Sequence, residues 1–511
     1  MSGVKGSLIS LFTLILLVPT LNGQMNPHPF SVHDLVAMQR ISDPVVSPDG
    51  KQIVFVVYTT DLDANRGRKD LWLVNSDGSN LHPLTRHPEN DSDPSWAADG
   101  KSIWFLSRRS GSSQVWCIFL DSRKEVQITD FPLDVGHLLV SPDGKYLVIS
   151  MEVFPGLSVS ETKTKLDEIA SRKASGIVFE KLFIRYWDSW IDGRRSHLFI
   201  LPVNGNLPKD LMPAMDADAP TKPFGDIKEV TFTPDGAGIV FTANDDGREE
   251  AWSTNLDLFF VPIDGSQPAR CLTPDNLAED KTPLFSPDGK TLAYLAMKRP
   301  QYESDRRRLM LRPWPEGEDR VLTEDFDRSI SEFFWTRDSK KIYALAENLG
   351  QNTLYIIDCK SGAAEPFLIN GNVRSPQLAG KELVFGMDHL KSPVDLYRTD
   401  LMATKFFPIT RMNAENLRRV KQGDYEQFHF AGWNEETVYG YLVKPVDFDS
   451  TKKYPVAFLI HGGPHNSMGN DFHYRWNPQT YAGAGYGVVM IDFHGSSGYG
   501  QEFQDALQDD W

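Results

Sequence analysis

Ser47-Pro48-Asp49-Gly50-Lys51-Gln52-Ile53-Val54-Phe55-Val56-Val57 joins a turn to a strand. The Asp-Gly pair supplies a tight reversal, because glycine accepts the left-handed backbone such turns need, and the apolar run after it reads as a strand buried on both faces. Related phrases recur: Ala98-Asp99-Gly100 before 103–106, Ser141-Pro142-Asp143-Gly144 before 146–149, and Thr233-Pro234-Asp235-Gly236 before 239–241. Three more are Ser286-Pro287-Asp288-Gly289 before 292–295, Arg337-Asp338-Ser339 before 342–345, and a worn copy at Gly380 before 383–385. Their spacing is about 45 to 50 residues, with one wide gap between Asp143 and Asp235. A second strand-like phrase follows every copy, at 71–74, 115–119, 197–201, 258–261, 309–311, 354–357 and 396–397. Seven units of this length, built from short strands and turn residues, predict an all-β, seven-bladed β-propeller over residues 24–420. A solenoid would need helical periodicity in each unit, and these runs alternate or stay apolar.

At 511 residues the chain has material for about two to four domains. Hydrophobic residues at 41% and charged residues at 24% are those of a globular protein with a conventional core. The net charge of -16, from 53 basic and 69 acidic residues, excludes a nucleic-acid partner, which requires a basic footprint. Lys5 precedes an apolar stretch at 8–18, then Pro19 and small or polar residues, so 1–23 reads as a signal peptide and the protein as secreted. That stretch falls short of the roughly 20 residues of a membrane span, so no membrane association is expected after cleavage. Asn90-Asp91-Ser92 is an N-glycosylation sequon compatible with this route. Three cysteines, Cys117, Cys271 and Cys359, make no disulfide scaffold and read as small apolar fillers. No Cys/His cluster has metal-ligand spacing, and no cofactor is expected.

The wide gap reads as an insertion at 153–195 in blade 3, helical and charged over 161–173 and then aromatic through Arg185-Tyr186-Trp187-Asp188-Ser189-Trp190. Such rings cap a core in one reading. In the other, Arg185, Trp187 and Trp190 form a substrate-side wall suited to apolar side chains and peptide termini. Glu249-Glu250-Ala251-Trp252-Ser253-Thr254-Asn255 is a second departure from the repeat. Glu249 and Glu250 beside Trp252 offer carboxylates to a free amine, or are simply solvated.

A second domain is expected over 421–511. Segments 425–430 and 437–442 alternate as a hairpin, 454–460 and 487–492 read as buried strands, 478–484 as a short helix, and 503–511 as the start of another. His461-Gly462-Gly463-Pro464 ends the first of those strands. A glycine pair there leaves backbone N–H groups unobstructed, so Gly463, with Gly462, is the candidate oxyanion hole. His461 reads as orienting the loop, since a catalytic histidine of this fold follows the serine in chain order. His461, His465 and His473 lack the register of a metal site, and Gly495-Ser496-Ser497-Gly498-Tyr499-Gly500 reads as a flexible loop beside the cleft. No G-x-S-x-G elbow occurs between Met1 and Trp511.

The seven turn-strand units, the R-Y-W-D-S-W insertion, the E-A-W-S-T-N phrase, HGGP at 461–464 and HGSSGYG at 494–500 together resemble the prolyl oligopeptidase family of serine peptidases, most of all its secreted dipeptidyl-peptidase V branch, with acylaminoacyl-peptidases as near relatives. The resemblance implies a propeller covering an α/β-hydrolase cleft, so that only short peptides reach a Ser-Asp-His triad, with Gly463 in the oxyanion hole. It implies a serine exopeptidase releasing dipeptides from peptide N-termini. The chain departs from the pattern in lacking the triad. The expectation is therefore a β-propeller followed by the N-terminal part of an α/β-hydrolase domain, its parallel sheet incomplete, truncated before the catalytic serine, inactive by itself and poorly soluble. The rival reading is a non-catalytic propeller that binds peptides. A second copy of the chain is left open as a partner.

Overall fold

Residues 53–57 lie in strand Gln52–Asp61, and their side chains divide between two neighbours. Ile53, Phe55 and Val57 pack against Val384 and Leu396, while Val54 and Val56 pack against Ile103, Phe105 and Ile118. A strand with period-two side chains that is sandwiched between blades must be apolar on both faces, which explains the unbroken run. Each of these five residues is at most 1% exposed, and burial at that level stabilises by about 1.5–3 kcal/mol per large side chain.

The protein is described here by a computed structural model covering residues 26–205, 207–369 and 371–508. The expected signal peptide at 1–23 lies outside the described residues. Seven four-stranded antiparallel units follow one another, from Arg40–Val46 in the first to Phe406–Pro408 in the last. The last two units are linked by a single parallel bridge between Asn352 and Asn372. The ring closes through a side chain: Gln377 in blade 7 accepts from the Val46 N–H of blade 1 at 3.1 Å and donates to Pro44 O. The turn quoted above is held by Ser47 Oγ, which donates to Asp49 at 2.7 Å and accepts from Gln52 N–H at 2.9 Å. Gly50 has φ +75° and its Cβ position lies 2.8 Å from Gly380 N, so the site requires glycine on both counts. Lys228 of blade 4 reaches Glu332 of blade 6 at 2.7 Å, past the intervening blade 5.

Several sequence expectations shift. The insertion helix is Val159–Ala170, starting two residues earlier than expected, because Ser158 and Glu161 form a capping box. Residues 28–38, inside the 24–420 expected for the propeller, lie outside its blades. Phe30, Leu35 and Met38 are buried against Val420 and Phe472, and strand His28–Pro29 pairs with Val420–Lys421. Their apolar side chains are covered by residues from both sides of the domain boundary, Leu417 and Val420 on one and Phe472 and Tyr474 on the other.

That domain is a four-stranded mixed sheet in the order Tyr425–Ala431, Thr437–Val443, Gly487–Ile491, Val456–Leu459. Parallel pairing is confined to the last two strands, so the expected parallel sheet is represented by one pair among the described residues. Val456–Leu459 was expected to be buried, yet Val456, Phe458 and Ile460 are 63%, 51% and 62% exposed. The strand is the edge of this sheet and only one of its sides is hydrogen-bonded. The final helix is Gln501–Asp505, two residues earlier than expected. Asp327 of the propeller accepts the Gln501 N–H at 3.0 Å and fixes that start.

Candidate active site

Strand Val456–Leu459 delivers His461 into the interior, where its side chain is 2% exposed. Its ring stacks on Phe493 with centroids 4.4 Å apart. Nε2 lies 2.8 Å from Ser496 Oγ, and Nδ1 is 3.1 Å from the Gly462 carbonyl. The glycine pair follows at once. Gly463 has φ +139°, and a Cβ there would stand 2.8 Å from His465 N, so a side chain is excluded by both conformation and space. Next, His465 Nδ1 meets Gly495 O at 2.9 Å, and Asp492 accepts from Met468 N–H at 2.9 Å and from the Ser467 and Tyr499 hydroxyls at 3.0 Å each. Burial pushes the Asp492 carboxyl up, against the pull of these donors. The loop that carries the glycines is thus tied at several points to the 492–499 segment.

His461, Ser496 and Asp492 comprise the residue types of a triad, but their geometry is a pin. In a relay the serine and the acid engage opposite ring nitrogens. Here Asp492 Oδ1, at 3.7 Å, faces the same Nε2 as Ser496, and Ser496 is fully buried. Sequence reasoning assigned His461 to orienting the loop but missed both partners, since nothing in their spacing signals the contact. The 495–500 segment, expected to be a flexible loop, is anchored instead. Ser497 donates to Glu347, and Gly498 O accepts the Leu349 N–H at 3.1 Å, both on blade 6.

Gly462 and Gly463 line a cavity of about 1340 Å3 between blades 5 to 7 and the second domain. The wall mixes charged groups with apolar ones such as Phe458, Ile460 and Trp476. Asp471, on the glycine loop, is pushed up to about 6 by burial and the neighbouring Asp388 against the pull of Arg374.

The six propeller candidates lie outside that lining. Arg185, Trp187 and Trp190 sit on a hairpin formed by Arg185–Tyr186 and Ser189–Trp190. Trp187 and Trp190 are 68% and 59% exposed, touching Phe224 and Phe179, and the Arg185 guanidinium lies over Trp190. Glu249 and Glu250 ride on the short helix Gly247–Ala251, followed by an exposed Trp252. The two groups do meet. Arg195, which ends the insertion, holds Glu250 through two bonds of 2.9 and 2.5 Å and also binds Asp216 and Asp218. Burial and the Glu250 and Asp218 carboxylates push the Tyr186 hydroxyl up to about 12. Glu250 is therefore already paired, and Glu249 is the exposed carboxylate of the two. Asn90 is exposed, with its Oδ1 accepting the Lys69 N–H at 3.0 Å.

A propeller followed by the start of a second domain is a fold that known proteins share. Residues 472–511 match the prolyl oligopeptidase family, and residues 35–170 match the TolB beta propeller domain. The dipeptidyl-peptidase 5 of Porphyromonas endodontalis is 31% identical over 485 residues, covering 93% of this chain and 69% of that protein. The chain belongs to the prolyl oligopeptidase family. The dipeptidyl-peptidase 5 of Porphyromonas gingivalis is 29% identical to it over 481 residues, with the same coverage. An acylaminoacyl peptidase solved with Z-Gly-Gly-Phe-chloromethyl ketone superposes with a TM-score of 0.74 at 17% identity, covering 93% of this chain and 68% of its own. The Pyrococcus horikoshii acylaminoacyl peptidase gives 0.72 at 17% identity, with the same coverage. At that identity these structures speak to the fold, while the relatives place the chain in a family of serine dipeptidyl-peptidases.

Proposed function

We propose that these residues form the propeller and the oxyanion side of a secreted serine exopeptidase, which releases dipeptides from the N-termini of short peptides when joined to a Ser-Asp-His triad. The observation that carries this is Gly463, forced to be glycine, on a loop that lines a cavity roofed by propeller blades. Acyl transfer requires donors aimed at the developing oxyanion, and a strand-end glycine pair is suited to that task. A roof of blades limits access to short, unfolded substrates.

We also propose that residues 24–511 alone hydrolyse nothing. They hold no G-x-S-x-G elbow, and Ser496 is sealed under His461. Without a nucleophile, an oxyanion hole falls orders of magnitude short of peptidase rates. Purified 24–511 should release no more dye from dipeptidyl reporter substrates than a blank does. Turnover that a serine-directed fluorophosphonate abolishes would refute this. The second reading is a propeller that holds peptides without cutting them. Sequencing the transcript past the Trp511 codon separates the two: an open frame running on into an elbow serine favours the enzyme, a stop codon the binder.

A further inference from the structure

The cavity that contains Gly463 is lined by five arginines, Arg306, Arg307, Arg328, Arg374 and Arg475. Four are already committed to acceptors. Arg306 donates to the Phe326 and Glu324 carbonyls at 2.7 and 2.8 Å, and Arg307 to Glu279 at 2.6 Å. Arg328 donates to Asn348 at 3.0 Å and to Asp327 O at 2.6 Å, and Arg374 grips Asp388 through two bonds of 3.1 Å. Arg475 differs. Its side chain is exposed, lies 5.6 Å over the Trp476 ring, and has no hydrogen-bond or ion-pair partner among the described residues.

Its neighbour is set up to help. His473 Nδ1 accepts the backbone N–H groups of Arg475 and Trp476 at 3.0 and 2.9 Å, which leaves the proton on Nε2 and an N–H donor at the cavity wall. Burial, together with the charges of Arg475 and Arg374, pulls the His473 pKa down, so two cations act on one imidazole. The loop that carries them is held rigidly: Asp388 accepts the Phe472 N–H at 3.1 Å, and the Arg40 guanidinium stacks 4.3 Å from the Tyr474 ring. A guanidinium and an adjacent N–H on a fixed backbone make a fork matched to a carboxylate.

We infer that Arg475 and His473 form a carboxylate-binding subsite in this cavity, selecting peptides that present an acidic group beside the Gly462-Gly463 loop. The inference rests on the proposed peptide-binding role of the cavity. The acidic group comes either from the C-terminus of a short peptide or from an Asp or Glu side chain, and both have the same chemistry. Trp476, 52% exposed next to Arg475, adds an apolar face for the residue that carries it.

The test is titration calorimetry on residues 24–511 with three ligands: Ala-Ala-Ala as the free acid, Ala-Ala-Ala amide, and Ala-Asp-Ala amide. At low salt at least one carboxylate ligand should bind about tenfold more tightly than Ala-Ala-Ala amide, and the margin should shrink as sodium chloride is raised. Whichever of the two binds more tightly names the source of the acid. Arg475 is exposed, so Arg475→Ala should leave the melting curve unchanged and remove the margin, while Arg475→Lys should keep part of it. Equal binding of all three ligands overturns the subsite and leaves the peptide-binding role standing. Binding of none overturns that role, and the subsite with it. A margin that survives Arg475→Ala assigns the carboxylate to other residues and refutes the inference.

Discussion

Glu229 is 6% exposed, and its carboxylate accepts from the Thr221 N–H and hydroxyl at 2.8 to 3.0 Å. Burial outweighs those bonds and pushes its pKa from 4.5 to about 7. Between these values the folded protein binds more protons at this site than the unfolded chain does, so stability falls as pH rises from about 4.5 to about 7 and levels off above that. The full effect is about 3 kcal/mol. Glu229→Gln keeps an acceptor for Thr221 and removes the ionisation. Urea unfolding should show the variant gaining on the parent between pH 4 and 8, with the two converging at the acid end. Parallel curves would mean that the site does not titrate in this range. Gly463 shows the opposite kind of residue control, in which the backbone matters and the side chain must be absent. The HGGP phrase marked that position in advance. The Ser496 and Asp492 contacts to His461 were invisible beforehand, because residues some 30 positions apart meet only after the sheet has formed.

The strand Val456–Leu459 shows how an element can be recognised and its environment misjudged. Its apolar composition announced a buried strand, and it does form one ladder with Gly487–Ile491. Whether an apolar face is covered depends on what lies beside it, and Val456, Phe458 and Ile460 stand exposed on this edge. An open edge with large apolar side chains is a pairing template. Residues 24–511 should therefore self-associate, and Phe458→Lys should shift the population toward monomer in sedimentation velocity runs at matched concentration. An unchanged distribution would place the sticky surface elsewhere. The blades were more legible than this strand. Each repeats the same turn and paired strands, both faces of each inner strand are covered by copies of the same unit, and local pattern therefore predicts environment.

The two domains of the molecule meet at the 470–474 loop and where the 494–508 segment lies on blades 5 and 6. Arg299 binds Asp505 through two bonds of 2.7 and 2.9 Å and Asp305 through a third of 2.8 Å, and Tyr302 donates to Asp505 at 2.9 Å. Gln504 adds a bond to Ser304 O at 2.9 Å. This clasp borders the cavity that contains Gly463, so its strength sets how readily the cavity opens on that side. In Arg299→Ala, amide exchange over 494–508 should accelerate several-fold while the blade strands keep their protection. Exchange that rises uniformly, or not at all, would refute a local clasp. The propeller blades and the strands of a second fold after them were written in the chain, because repeats, turn chemistry and strand periodicity act over a few residues. The pairing of Glu250 with Arg195, the seating of residues 28–38 beside the second domain, the pin under His461 and the unpartnered Arg475 were decided only by the folded structure. Each depends on which distant charges and apolar faces come into contact, and contact across hundreds of residues has no local signature.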